Sequence, residues 1–122
     1  MARILIAEDS ITDLQFIKNA LQETGYEILT ASNGDEAEQK VRSEMVDLII
    51  LDVVMPKKNG FQVCRSLKRD EKYRHIPIIL ITSKTQDSDR FWGLKQGADE
   101  YVTKPFEPTD LLEAVKKHLT SG

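Results

Sequence analysis

The stretch LIILDVVMPKKNG, residues 48–60, decides the fold. Four apolar residues, Leu48 to Leu51, run into the acid Asp52; Val53, Val54, Met55, Pro56, two lysines and Asn59-Gly60 follow. A run this short and this apolar reads as a strand buried on both faces, as in a parallel sheet covered by helices. A buried strand that stops on a carboxylate calls for a chemical reason.

Runs of the same kind recur on either side: ILIA from Ile4 to Ala7, EIL from Glu27 to Leu29, the apolar stretch from Ile78 to Ile81, and Tyr101-Val102. Segments of helical period lie between them. In the first, Ser10 can cap the helix with Asp13 three residues on, and Leu14, Ile17 and Leu21 follow at i, i+3 and i+7 until Gly25. The second puts Ala37, Val41 and Met45 on one stripe, and the third spaces Phe61, Cys64 and Leu67 three apart. The fourth, roughly Asp87 to Gln96, is polar apart from Phe91, Trp92 and Leu94, and Gly97 stops it. The last carries Leu111, Leu112, Val115 and Leu119, with Pro108 near its start. Asn33-Gly34 and Asn59-Gly60 would suit hairpin turns. Each is followed by helical period instead of alternation, so hairpins are rejected. Strict alternation of strand and helix implies an α/β, doubly wound parallel sheet with right-handed crossovers.

Composition narrows the function. A chain of 122 residues, 40% hydrophobic and 30% charged, suits one globular domain. A formal net charge of −3 excludes the whole chain as an electrostatic nucleic-acid binder. The densest basic stretch, Arg65 to His75, is broken by Asp70 and Glu71 and reads as a solvated face. Cys64 is the only cysteine, so no intrachain disulfide can form, and it reads as a packing residue. His75 and His118 lack a ligand pattern and are expected at the surface. The amino terminus has too short an apolar run for a signal peptide, and no segment reaches the length of a membrane span. A cytoplasmic protein without membrane contact is expected.

Polar residues collect where the strands end, which is where such sheets bind ligands. Glu8 and Asp9 follow the first strand, Asp52 the third, Thr82 and Ser83 the fourth, Thr103 and Lys104 the fifth. Three carboxylates held together repel, so a cation should sit among them. Oxygen-only ligands call for a hard ion, Mg²⁺ or Mn²⁺. A lysine and a hydroxyl would contact the oxygens of a phosphoryl group. One carboxylate is left to accept that group, and Asp52 is the natural choice, with Glu8-Asp9 holding the metal.

Two enzymatic or carrier alternatives fail on named residues. A phosphatase of the haloacid-dehalogenase type needs a second acid two residues past the nucleophile, and that position is Val54. A flavodoxin-like FMN carrier needs a hydroxyl- and glycine-rich phosphate loop after the first strand; the sequence has AEDSITD, whose acids would repel the phosphate.

The motifs ILIAEDS, DLIILDVVMPKKNGFQV, IPIILITSK and GADEYVTKPF resemble the CheY-like receiver domain of two-component response regulators, over nearly the whole chain. The resemblance implies a flavodoxin-like (βα)5 domain spanning residues 1–122, strand order 2-1-3-4-5, without an output domain. It implies that Asp52 is the phosphoacceptor, that Asp9 and Asp52 bind the metal directly and Glu8 through water, and that the Val54 carbonyl is a further ligand. Thr82 matches the switch hydroxyl, Lys104 the phosphate-contacting lysine, and Tyr101 the aromatic whose rotamer follows activation. A cis peptide before Pro105 is common in the family. Val54 and Lys84, two residues past Asp52 and Thr82, should border the phosphoryl group and tune its hydrolysis. The partners implied are a histidine kinase, CheA-like or other, and a protein target on the face of helix four, strand five and helix five. The chain would be no metabolic enzyme, and a monomer or weak dimer. DRFWGLKQGADEY and the single-domain length are similar to receivers of type IV pilus motility systems. The other possibility is a receiver cut from a longer regulator with a DNA-binding or enzymatic output domain.

Overall fold

The computed structural model describes residues 2–83 and 86–119. Five parallel strands, β1 (Arg3–Ala7), β2 (Glu27–Ala31), β3 (Leu48–Asp52), β4 (Ile78–Thr82) and β5 (Glu100–Thr103), lie in the order β2-β1-β3-β4-β5. Five helices connect or follow them: α1 (Ile11–Leu21), α2 (Gly34–Ser43), α3 (Gly60–Lys68), α4 (Asp87–Lys95) and α5 (Pro108–Leu119). The doubly wound sheet in the order 2-1-3-4-5 is as expected.

Strand alternation divides the core in two. Ile4, Ile6, Leu48, Ile50, Ile79 and Ile81 pack against α1 and α5. Leu5, Ala7, Ile49, Leu51, Ile78 and Leu80 face α2 and α3, together with Tyr101. Every residue of β3 and β4 is buried, which is why their sequence is apolar without alternation up to the last residue, Asp52 or Thr82.

Both Asn-Gly pairs begin helices. Asn33 Oδ1 accepts from the Glu36 amide at 2.9 Å, and Asn59 forms a reciprocal capping box with Gln62. Ser10 caps α1 through the Asp13 amide as read from the spacing. That helix stops at Leu21, and one 3-10 turn, Gln22–Thr24, carries the chain to Gly25 at φ +79°. Met45 departs from the sequence reading. It lies beyond the end of α2 and is 80% exposed, since the helix closes at Ser43 before its stripe is complete.

Candidate functional site

Period-two alternation brings the chemistry to one face. Glu8 continues the Ile4–Ile6 row, Asp52 the Leu48–Ile50 row, and Lys104 the row of Val102. All three therefore point toward α1 at the carboxyl edge of the sheet. Two backbone bonds extend the ladder past the strand ends: the Glu8 amide to the Ala31 carbonyl at 3.0 Å, and the Lys104 amide to the Thr82 carbonyl at 2.8 Å.

Glu8, Asp9 and Asp52 each present a carboxylate oxygen, and these oxygens lie within 4.8 Å of one another. Glu8 and Asp52 are buried, while Asp9 is exposed. The donor set is all oxygen, and it fits a hard divalent cation and not zinc. Asp52 Oδ1 accepts from the Val54 amide at 3.1 Å, so the carboxylate is oriented by its own loop. Val54 itself is 57% exposed.

Lys104, just past the end of β5, is drawn into the cluster. Its side chain is 18% exposed, and its ammonium lies 2.8 Å from Glu8 Oε1, 2.8 Å from Asp13 Oδ2 and 2.9 Å from Asp52 Oδ2. Burial alone would lower its pKa. The hydrogen bonds to Asp13, Glu8 and Asp52 outweigh that and raise it. Burial pushes the Glu8 carboxyl from 4.5 up to about 7, with Asp52 adding to the rise and the bonds from Lys104 and the Ser10 amide opposing it. The peptide between Lys104 and Pro105 is cis.

The sequence marks Asp13 only as part of a helix cap. The signal that it also belongs to the site is an acid one turn into α1, just past the Glu8-Asp9 pair. Nothing in the spacing links it to a lysine 91 residues away.

Thr82 is fully buried at the end of β4. Tyr101 is buried on the opposite face of the sheet from Lys104, against α4. There the Arg90 guanidinium lies 5.2 Å over its ring, and Arg90 Nη1 donates to the Tyr101 carbonyl at 3.1 Å. Gly93 leaves room for that ring: a Cβ there would stand 2.8 Å from Tyr101 Cδ2. Lys84 falls outside the described residues. His75 is exposed as expected. His118 is half-buried instead, with Nε2 3.5 Å from Glu100 Oε1, because α5 folds it back toward β5.

The model of the response regulator receiver domain family matches residues 4–116. The chain is 41% identical to Protein PilH of Pseudomonas aeruginosa over 115 residues, 94% of this chain and 95% of that one. Chemotaxis protein CheY4 of Vibrio cholerae superposes with a TM-score of 0.89 at 35% identity, covering 98% of this chain and 99% of that one. The receiver domain of sensor histidine kinase PA1611 of P. aeruginosa, solved with magnesium coordinated in its active site cleft, has a TM-score of 0.89 at 26% identity, covering 98% of each chain. Other curated relatives are longer transcriptional regulators, of which the chain spans 44% to 49%. By its order of strands, the acids and lysine at their carboxyl edge and the match over residues 4–116, this chain belongs to the response regulator receiver family.

Proposed function

We propose that this chain is a phosphorylation-dependent signalling switch, a single-domain response regulator that takes a phosphoryl group onto Asp52 from a histidine kinase. The observation that carries it is the meeting of the Asp52 carboxylate with Lys104, at 2.9 Å, beside the carboxylates of Glu8 and Asp9. One Asp52 oxygen forms a bond to phosphorus while the bond from phosphorus to the histidine nitrogen breaks, and that nitrogen keeps the electron pair. Asp9, Asp52 and the Val54 carbonyl would hold Mg²⁺ or Mn²⁺ directly, with Glu8 acting through water. The cation, when bound, offsets the negative charge of the acids and of the incoming phosphoryl oxygens. The magnesium-bound PA1611 receiver supports magnesium.

After transfer, Lys104 exchanges its carboxylate contacts for a phosphoryl oxygen, and Thr82 meets another. The Thr82 change passes to Tyr101 and alters the face of α4, β5 and α5, where a target protein binds. Exposure of Phe91, Trp92 and Leu94 on α4 supports a protein contact there. Catalytic character stops at the chain's own phosphorylation and dephosphorylation. Similarity to PilH, and to a chemotaxis protein, supports a role in motility or taxis. The protein acts in the cytoplasm as a monomer or weak dimer, without nucleic acid; among the described residues no helix is long and apolar enough to cross a membrane. A second reading, a receiver belonging to a longer transcriptional regulator, draws on the relatives matched over half their length. The reading frame on either side of this sequence separates the two.

The direct test loads the protein with acetyl phosphate or beryllofluoride and Mg²⁺. Wild type is expected to be modified, and Asp52→Asn is not. Equal labelling of the variant, or full labelling in EDTA, overturns the assignment.

A further inference from the structure

Asp13 is the one partner of Lys104 to which phosphoryl transfer, as proposed above, assigns no part. It stands outside the Glu8, Asp9 and Asp52 group, in the first turn of α1, with its side chain 44% exposed. With Phe16, Ser83, Pro105 and Phe106 it lines a cavity of about 310 Å³ that reaches Lys104. The Phe16 and Phe106 rings meet edge to face at 5.4 Å, so one wall of this opening is apolar. The cavity beside Lys104 thus has aromatic walls and a carboxylate that already holds the lysine at 2.8 Å.

We propose that Asp13 is a specificity-determining residue of phosphoryl transfer, setting the site against small dianionic phosphodonors. The proposal rests on Asp52 being the acceptor. Three carboxylates, of Glu8, Asp13 and Asp52, hold one ammonium, and that of Asp9 lies beside those of Glu8 and Asp52. With a divalent cation bound and all four carboxylates ionised, the group with Lys104 remains one charge negative; without Asp13 it is neutral. A small anion meets that charge as it approaches, and it must also draw Lys104 away from Asp13. A donor carried on a protein offsets both with contacts of its own, such as an apolar side chain in the cavity.

Two small donors separate these effects. In transfer from acetyl phosphate, an Asp52 oxygen bonds to phosphorus as the bond to the acetate oxygen breaks, and acetate leaves with the electron pair. In transfer from phosphoramidate, the phosphorus–nitrogen bond breaks, and the already protonated nitrogen leaves as ammonia. Near neutral pH the first donor is mainly a dianion and the second mainly a monoanion. Freeing Lys104 alone would speed both alike, whereas removing a repelling charge favours the dianion.

The experiment measures loading rates of the full chain with each donor at fixed Mg²⁺ and pH, at low and high salt. Asp13→Asn is expected to load from acetyl phosphate about fivefold faster at low salt, the size of one unit charge acting on a dianion about 8 Å away through water. The gain with phosphoramidate is expected to be smaller, and the difference to shrink at high salt. Asp13→Ser should follow Asp13→Asn, and Asp13→Glu should stay with wild type. Equal gains for both donors, a gain insensitive to salt, or no gain overturns the role of Asp13 while leaving Asp52 as acceptor. If wild type takes phosphate from neither donor, or Asp52→Asn loads as wild type does, the phosphoacceptor assignment falls and this inference with it.

Discussion

At the scale of single residues, Lys104 carries the most consequence. Its position at a strand end suggests a side chain that can be removed for under about 1 kcal/mol. Its three ion pairs change that expectation. Truncation strips the buried carboxylates of Glu8 and Asp52 of their cation. Lys104→Ala should therefore cost about 2 kcal/mol in metal-free urea unfolding. The loss should shrink when millimolar Mg²⁺ replaces the missing charge. It should also lose the response to phosphorylation while still unfolding cooperatively; a normal partner response would refute the role of the lysine. Val54 belongs to the same scale. Its side chain cannot hydrogen-bond a water lined up on the phosphoryl group, and Lys84 offers neither an acid nor an amide for that purpose. Wild type is expected to release phosphate more slowly than the double variant Val54→Asn with Lys84→Glu. A time course at fixed Mg²⁺ and pH checks it, once equal loading is established; matching decay rates would discard the idea.

At the scale of elements, the loop between β3 and α3 sets where Asp52 sits. The Gly60 amide donates to the Val53 carbonyl at 2.9 Å, and a Cβ on Gly60 would lie 2.4 Å from the Asp52 carbonyl oxygen. That contact is backbone, so neither side can swing away. Neighbouring Asn59 supplies only a cap. Asn59→Ala should thus cost about 1 kcal/mol and leave phosphorylation largely intact. Gly60→Ala should cost about 2 kcal/mol or more and slow phosphorylation as well, because relief of the clash must displace the end of β3. Equal effects of the two on phosphorylation would show that helix stability, not loop position, governs the acceptor.

At the scale of the whole molecule, the site makes stability depend on pH. The Glu8 carboxyl holds its proton to about 7 in the folded chain but only to its ordinary 4.5 when unfolded. Between those values the folded state binds more protons, so stability falls as pH rises. The penalty is absent below 4.5 and complete above about 7. Metal-free urea unfolding across this window should show the decline, Glu8→Gln should flatten it, and a divalent cation should oppose it. An unchanged slope in Glu8→Gln would assign the pH dependence to other groups.

Much of this molecule was legible in the sequence because its signals are local. An apolar run of four residues ending on Asp52, acids after β1, a lysine after β5 and helical period between them suffice for the doubly wound sheet and its carboxyl-edge cluster. They suffice because burial on both faces forces apolar strands, and because alternation fixes which strand-end residues share a face. Tertiary structure alone decided the contacts among those residues. Lys104 binds Glu8 and Asp13 across 96 and 91 residues of chain, and no periodicity encodes such a distance. The raised Glu8 carboxyl depends on burial by the packed domain. The Tyr101 ring depends on a glycine and an arginine of α4 to hold it inward. Met45 failed its stripe for the converse reason: the helix ended first, at Ser43, two residues short of it.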